Sequence, residues 1–119
     1  MPRDAKVYVA TEPVNMHLSF DRLAAIVRDK LGADPRDETL VLFHNRRRVL
    51  VKVLWHDKGG YCIFYKRLDR GTYRIPLAIP SGATHVEVSR RELQLVLEGV
   101  DRTIMRRARR RLRRKERGT

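Results

Sequence analysis

TLVLFHNRRRVLVKVLWHDKGGYCIFYKRLDRGTY, residues Thr39 to Tyr73, alternates β-rich runs with tight turns. Thr39 to His44 is β-branched and aromatic, the composition of a half-buried pleated surface. Asn45-Arg46-Arg47-Arg48 then reads as a turn. Val49 to Trp55 is the next strand, with Val49, Val51, Val53 and Trp55 on one face and Leu50, Lys52 and Leu54 on the other. Asp57-Lys58-Gly59-Gly60 is a turn because glycine takes positive φ without a steric penalty. Tyr61 to Arg67 returns as a strand, Asp69-Arg70-Gly71 turns again, and Thr72 to Ile75 reads as a short fourth member. Tight turns between successive β runs specify an antiparallel meander.

Helical signals flank this meander. Val7 to Ala10 reads as a first strand, stopped by Thr11-Glu12-Pro13. Phe20, Leu23, Ala24, Val27 and Leu31 recur with helical spacing, Ser19 stands where it can cap the first turn, and Gly32 with Asp34-Pro35 ends the last. Pro76 to Thr84 reads as loop. Ser89-Arg90-Arg91-Glu92 matches a capping box, followed by a stripe of Leu93, Val96, Leu97 and Val100. Gly99 marks a break, and Ile104, Met105, Ala108 and Leu112 lie on one side of a basic helix. The expected fold is therefore α+β: one small domain over residues 1–101, a mainly antiparallel meander with an N-terminal helix and C-terminal helices. An Arg-rich tail, helical in its spacing, follows over residues 102–119.

Composition narrows the class. A chain of 119 residues and 14.0 kDa is one domain's length, and 42% apolar residues suffice for a core. No apolar run approaches the ~20 residues of a membrane span, and MPRDAKVYVATEP lacks a secretory signal's apolar stretch. The single cysteine, Cys62, makes neither an internal disulfide nor a cysteine zinc cage. A reducing, cytoplasmic setting is expected. The net charge of +13 is uneven, since residues 102–117 carry ten Lys/Arg against one acid, a net +9, and residues 1–101 carry a net +4. Such a basic block meets a polyanion, most often nucleic acid.

Enzyme templates fail. There is no phosphate loop, GxGxxG, HExxH or nucleophile elbow. His17, His44, His56 and His85 are scattered without an i, i+4 pair, so no metal site or cofactor is expected. Asp21, Asp57 and Asp69 are the conceivable carboxylates of a metal-dependent nuclease, yet they equally suit a helix first turn and two β-turns. Cys62 lies mid-strand with no paired base and reads as a structural thiol. Arg46, Arg47 and Arg48 crowd one turn, Lys66-Arg67 ends a neighbouring strand, and Lys52 and Arg74 are candidates to complete a phosphate-binding surface. Arg106, Arg107, Arg109, Arg110, Arg111, Arg113 and Arg114 of the tail are further candidates for nucleic-acid contact. Tyr61, Tyr65, Trp55 and Tyr73 fit a core better than a stacking surface, with Trp55 expected to be largely buried.

Lys52 to Tyr73 closely resembles the signature of TnpB-type accessory proteins of the insertion sequence 66 group. The matching residues are Lys52, Leu54, Trp55, Asp57, Gly60, Tyr61, Phe64, Tyr65, Lys66, Arg67, Leu68, Asp69 and Gly71. VYVATEPVNM, LVLFHNRRR and SRRELQLVLEGVD extend the likeness over about the first hundred residues in family order. The chain departs from the family at NMHLSFDRL, Asn15 to Leu23. There two basic residues become His17 and Leu18, two glycines become Ser19 and Arg22, and an acid becomes Asn15. The resemblance implies a role in DNA transposition beside a separate transposase that carries the catalysis. The expected partners are DNA and that transposase, with no membrane, and the oligomeric state is not written in the sequence. The leading reading is a non-enzymatic DNA- or transposase-binding factor. Its rivals are a nuclease subunit and a DNA-binding regulator of the element, though no helix-turn-helix pattern is visible.

Overall fold

A computed structural model describes residues 1–75 and 80–99 of the chain. Along them run β1 (Lys6–Ala10), α1 (Phe20–Asp29), β2 (Thr39–His44), β3 (Leu50–Asp57), β4 (Gly60–Arg67), β5 (His85–Val88) and α2 (Arg90–Glu98). The strands form one sheet in the order β4-β3-β2-β1-β5. Pairs β2–β3, β3–β4 and β1–β5 are antiparallel, while β1 and β2, joined through α1, are parallel. The expected meander is therefore the β2–β3–β4 half of a larger, mostly antiparallel sheet. The Val100 stripe position, the Ile104 to Leu112 helix and the Arg-rich tail lie outside the described residues.

A strand covered on both faces needs apolar side chains in both directions. β2 meets that demand with TLVLFH, all six residues buried. On one face Leu40 and Leu42 join Val7, Val9, Val51 and Val53 beneath Leu93 and Val96 of α2. On the other, Val41, Phe43 and Leu54 pack against Leu23, Ala24 and Val27 of α1. One helix thus covers each face.

Local chemistry sets the joints. At the β3–β4 hairpin Asp57 pairs with Gly60, and the two central residues, Lys58 and Gly59, have φ of 40° and 86°. Two positive φ values make the turn whose twist matches that of paired strands. The capping box of α2 forms in full, Ser89 Oγ accepting from the Glu92 N–H and Glu92 Oε1 from the Ser89 N–H, both at 3.1 Å. Gly99 ends α2 at φ 73°, and a Cβ there would stand 2.7 Å from the Leu68 side chain. The positive φ favours glycine there, and any larger residue would also have to displace the end of the Leu68 side chain.

Several expectations change. Thr72 to Ile75 does not extend as a fourth meander strand. Tyr73 and Ile75 instead turn into the α2-side core, and the Tyr73 N–H donates to the Arg48 carbonyl at 2.7 Å. Burial pushes the Tyr73 phenol up to about 12. The outer member on the far side is β5, whose four residues pair only with β1. Ser19 occupies the N-cap of α1 without a side-chain capping bond. Phe20, the first residue of α1, is exposed and stands outside the buried stripe of Leu23, Ala24 and Val27. Trp55 packs on the expected face beside Val51 and Val53 but is half-buried, being near the open end of β3.

Candidate nucleic-acid interface

The β2–β3 turn is built around Asn45. Its backbone N–H donates to the Leu50 carbonyl at 3.1 Å, and its Oδ1 accepts from the N–H groups of Val49 and Leu50, both at 3.0 Å. The Arg48 N–H closes the turn on the Asn45 carbonyl at 3.0 Å, with Arg48 in the left-handed region at φ 58°. Asn45 thereby satisfies backbone donors of the turn that the guanidinium groups of Arg46, Arg47 and Arg48, having no acceptor, cannot serve. All three arginines are exposed.

A second segment is laid against this turn. The Leu68 N–H donates to the Val49 carbonyl at 3.0 Å, and the Tyr73 N–H to the Arg48 carbonyl. Leu68 and Tyr73 are thus anchored on the turn, and the bend between them carries Arg70 to the same end of the sheet. Arg67 ends β4 opposite Leu50 and is exposed, as is Arg70, while Arg74 is half-buried. Residues 46–48 and 67–74 together hold six arginines and one acid, Asp69, for a net +5. Arg70 is absent from the sequence-derived set. Its only signal was a place in a turn, which says nothing of what the turn faces.

The structure gives the two lysines of the set another occupation. Lys52 is 7% exposed, its Nζ donates to the Leu18 carbonyl at 2.7 Å, and it lies 4.8 Å from the centroid of the Tyr65 ring. Lys66 donates through Nζ to the Leu97 carbonyl, also at 2.7 Å. Lys52 and Lys66 project to opposite faces of the sheet, so they do not join one cationic surface. Instead Lys52 ties the central hairpin to the segment before α1. Lys66 ties it to the last turn of α2, which has no basic residue of its own. A cation beside those terminal carbonyls also complements the helix dipole. Arg106 to Arg114 lie outside the described residues.

His44, buried at the end of β2, sits between two carbonyls, with Nε2 3.1 Å from that of Ala10 and Nδ1 3.2 Å from that of Asn45. Burial holds it below the ordinary value of 6.5, the two carbonyls pull the other way, and Arg48 adds to the depression. Tyr65 is 53% exposed, its ring a cover for the Lys52 ammonium, whereas Tyr73 is wholly buried. Tyr61 is half-buried, 5.1 Å edge-on from His56.

Asp21, Asp57 and Asp69 stand on α1, at the β3–β4 hairpin and after β4. Among the described residues no three His, Cys, Asp or Glu side chains gather as a metal-holding group. Cys62 is a free, half-buried thiol in β4.

Residues 5–107 match the family described as IS66 Orf2 like protein. The chain belongs to that family. The family is an accessory one of transposition, and the match runs past the domain boundary expected at residue 101. Two proteins of Sinorhizobium fredii (strain NBRC 101917 / NGR234) are similar to this IS66 Orf2-like chain along most of its length. y4hO is 37% identical over 99 residues, covering 83% of this chain and 84% of its own. y4jC is 30% identical over 105 residues, covering 88% and 87%. No solved structure matches.

In this IS66 Orf2-like fold the signature residues prove largely architectural. Lys52 and Lys66 bolt the two helical layers to the sheet, Leu68 closes on Gly99, and Asp57 and Gly60 close the hairpin. The divergent NMHLSFDRL segment contains Leu18, the residue whose carbonyl receives Lys52. That anchor is a backbone atom, so it tolerates the change of side chain.

Proposed function

We propose that this chain is a non-catalytic accessory factor that binds DNA phosphates through the arginine end of its sheet. In this reading it works in the bacterial cytoplasm beside the transposase of the same element. The observation that carries the reading is the convergence of Arg46, Arg47 and Arg48 with Arg67, Arg70 and Arg74 around one turn. Like charges crowded at one end repel, so the exposed Arg46, Arg47, Arg48, Arg67 and Arg70 work against one another in the folded chain, and a polyanion offsets that repulsion. Guanidinium groups engage phosphate oxygens bidentately and carry no sequence code in doing so. The Arg-rich tail adds to the same sequence-independent affinity.

The test is a set of DNA-binding isotherms over a range of salt concentrations, for the wild type and for Arg46→Ser/Arg47→Ser/Arg48→Ser. Removing one arginine–phosphate pairing lowers the slope of log K against log salt by about 0.9, so removing three lowers it by about 2.7. Affinity should fall similarly for unrelated duplexes. An unchanged slope with unchanged affinity sinks the proposal.

A further inference from the structure

We propose that Tyr65 is a stacking platform for an unpaired nucleobase, so that the arginine end engages DNA where a base is free of its pair. The proposal rests on the phosphate-binding reading above and names the form of DNA that the site takes. Tyr65 lies in β4, the outermost strand on its side of the sheet among the described residues. Its sequence setting favours a place in the core, yet it is 53% exposed, whereas Trp55, Tyr61 and Phe64 of the same hairpin are half-buried. A single exposed ring is ordinary on a protein surface. Two further features set Tyr65 apart: its fixed orientation and the cations beside it.

The orientation comes from Lys52. That residue pairs with Tyr65 across the β3–β4 ladder, and its ammonium stands 4.8 Å from the ring centroid. The ammonium is itself held by the Leu18 carbonyl at 2.7 Å. One face of the ring is thus occupied by an anchored cation, and an exposure near one half is that of the opposite face. A ring clamped from behind has already given up rotamer freedom, so a stacking partner does not bear that entropy cost. The ammonium also draws electron density to its own side of the ring, which lessens the repulsion between two stacked π-faces.

The neighbouring charge selects the ligand. Arg67 follows Tyr65 by two residues, so it stands on the same face of β4, about 6.8 Å along the strand. It is exposed and belongs to the arginine end with Arg46, Arg47, Arg48 and Arg70. Its ladder partner, Leu50, adjoins the turn that carries the first three of these. A nucleic-acid strand whose phosphates lie on those guanidinium groups brings its bases alongside the open face of Tyr65. In a duplex the base faces are closed by neighbouring pairs, and only base edges are open in the grooves. An unpaired base presents its whole face. Every base has one, so the contact adds affinity without a sequence code.

The test measures binding of the full chain to an oligothymidylate, to the same strand made abasic throughout, and to a blunt duplex. The abasic strand keeps the phosphates and removes the bases. Tyr65→Leu keeps an apolar cover over Lys52 and removes the π-face, and unfolding midpoints verify that it folds. It should weaken oligothymidylate binding by about 5- to 150-fold, the worth of one stacked base, and leave the abasic strand and the duplex unchanged. Tyr65→Trp should restore the affinity. In the wild type, irradiation of a strand carrying iodouracil should cross-link it to Tyr65, a readout that needs no variant. Equal loss on all three probes overturns the proposal by making Tyr65 a structural cover alone, and no loss on any of them overturns it as well. The phosphate-binding reading fails by a different observation, an unchanged salt slope in Arg46→Ser/Arg47→Ser/Arg48→Ser. An oligothymidylate that still loses affinity on Tyr65→Leu in that background keeps the stacking site.

Discussion

The two ends of β2 carry opposite charge. At its start, Thr39 borders a cleft lined by Asp4, Asp34, Asp37 and Glu38; just beyond its end, Asn45 opens a turn of three exposed arginines. The ends lie about 17 Å apart at the rise of a strand. Between them every residue is buried, so the spacer is rigid. Opposed charges on a rigid spacer give a small module an orientation: a polyanion is drawn to one end and turned away from the other. The contrast with the lysines is equally instructive. Lys52 and Lys66 spend their charge on backbone carbonyls inside the fold, whereas Arg46, Arg47 and Arg48 are held outward by a turn that Asn45 has already satisfied.

The most severe way to break this arrangement is in the spacer itself. Leu42 is fully buried in mid-β2, and Leu42→Ala should cost about 2–5 kcal/mol, enough to abolish both charged ends together in a domain so small. Denaturant unfolding measures the loss; a near-wild-type midpoint would show that the strand is not the common frame. Next comes Lys52→Ala, which leaves the Leu18 carbonyl without its charged donor and opens space beneath Tyr65. A loss of about 1.5–3 kcal/mol is expected, with no change in the salt slope of DNA binding beyond that of removing one distant charge.

A pH titration sharpens the contrast at the arginine end. His44 titrates below 6.5 in the fold, chiefly through burial, so the unfolded chain binds its proton first as pH falls. Stability should therefore decline as pH drops through 6.5 toward the lower folded value, and His44→Gln should remove that part of the decline. Identical pH profiles for both proteins would show that His44 contributes nothing to it. The smallest effect on stability belongs to Arg46→Ser/Arg47→Ser/Arg48→Ser. Its unfolding midpoint should stay within about 0.5 kcal/mol of wild type, or rise slightly as repulsion is relieved. A large loss would mean the guanidiniums are part of the framework, like the lysines.

How much was legible varies with the range of the forces involved. The β2–β3–β4 hairpins, the capping box at Ser89 and the Leu23, Ala24 and Val27 core of the α1 stripe are written in neighbouring residues, and they form as read, while Phe20 and Leu31 fall outside the buried helical face. Even the opposed faces of Lys52 and Lys66 follow from strand parity. Their burial does not, because it depends on carbonyls 34 and 31 residues away. Arg70 was invisible as part of the arginine end for the same reason: only the bonds of Leu68 and Tyr73 to the β2–β3 turn bring it there.

The sequence by itself determined the hairpins, the capping box at Ser89, the charge asymmetry and the family likeness, since each rests on residues adjacent or regularly spaced along the chain. Only the tertiary structure decided the parallel pairing of β1 with β2, the addition of β5 at the edge, and the turning of Tyr73 and Ile75 into the core beneath α2. It also decided which cations face inward. Those outcomes depend on which surfaces meet, and burial selects the partners: the Tyr73 ring gains more beneath α2 than at a strand edge, and a lysine becomes structural where a distant carbonyl waits for its ammonium.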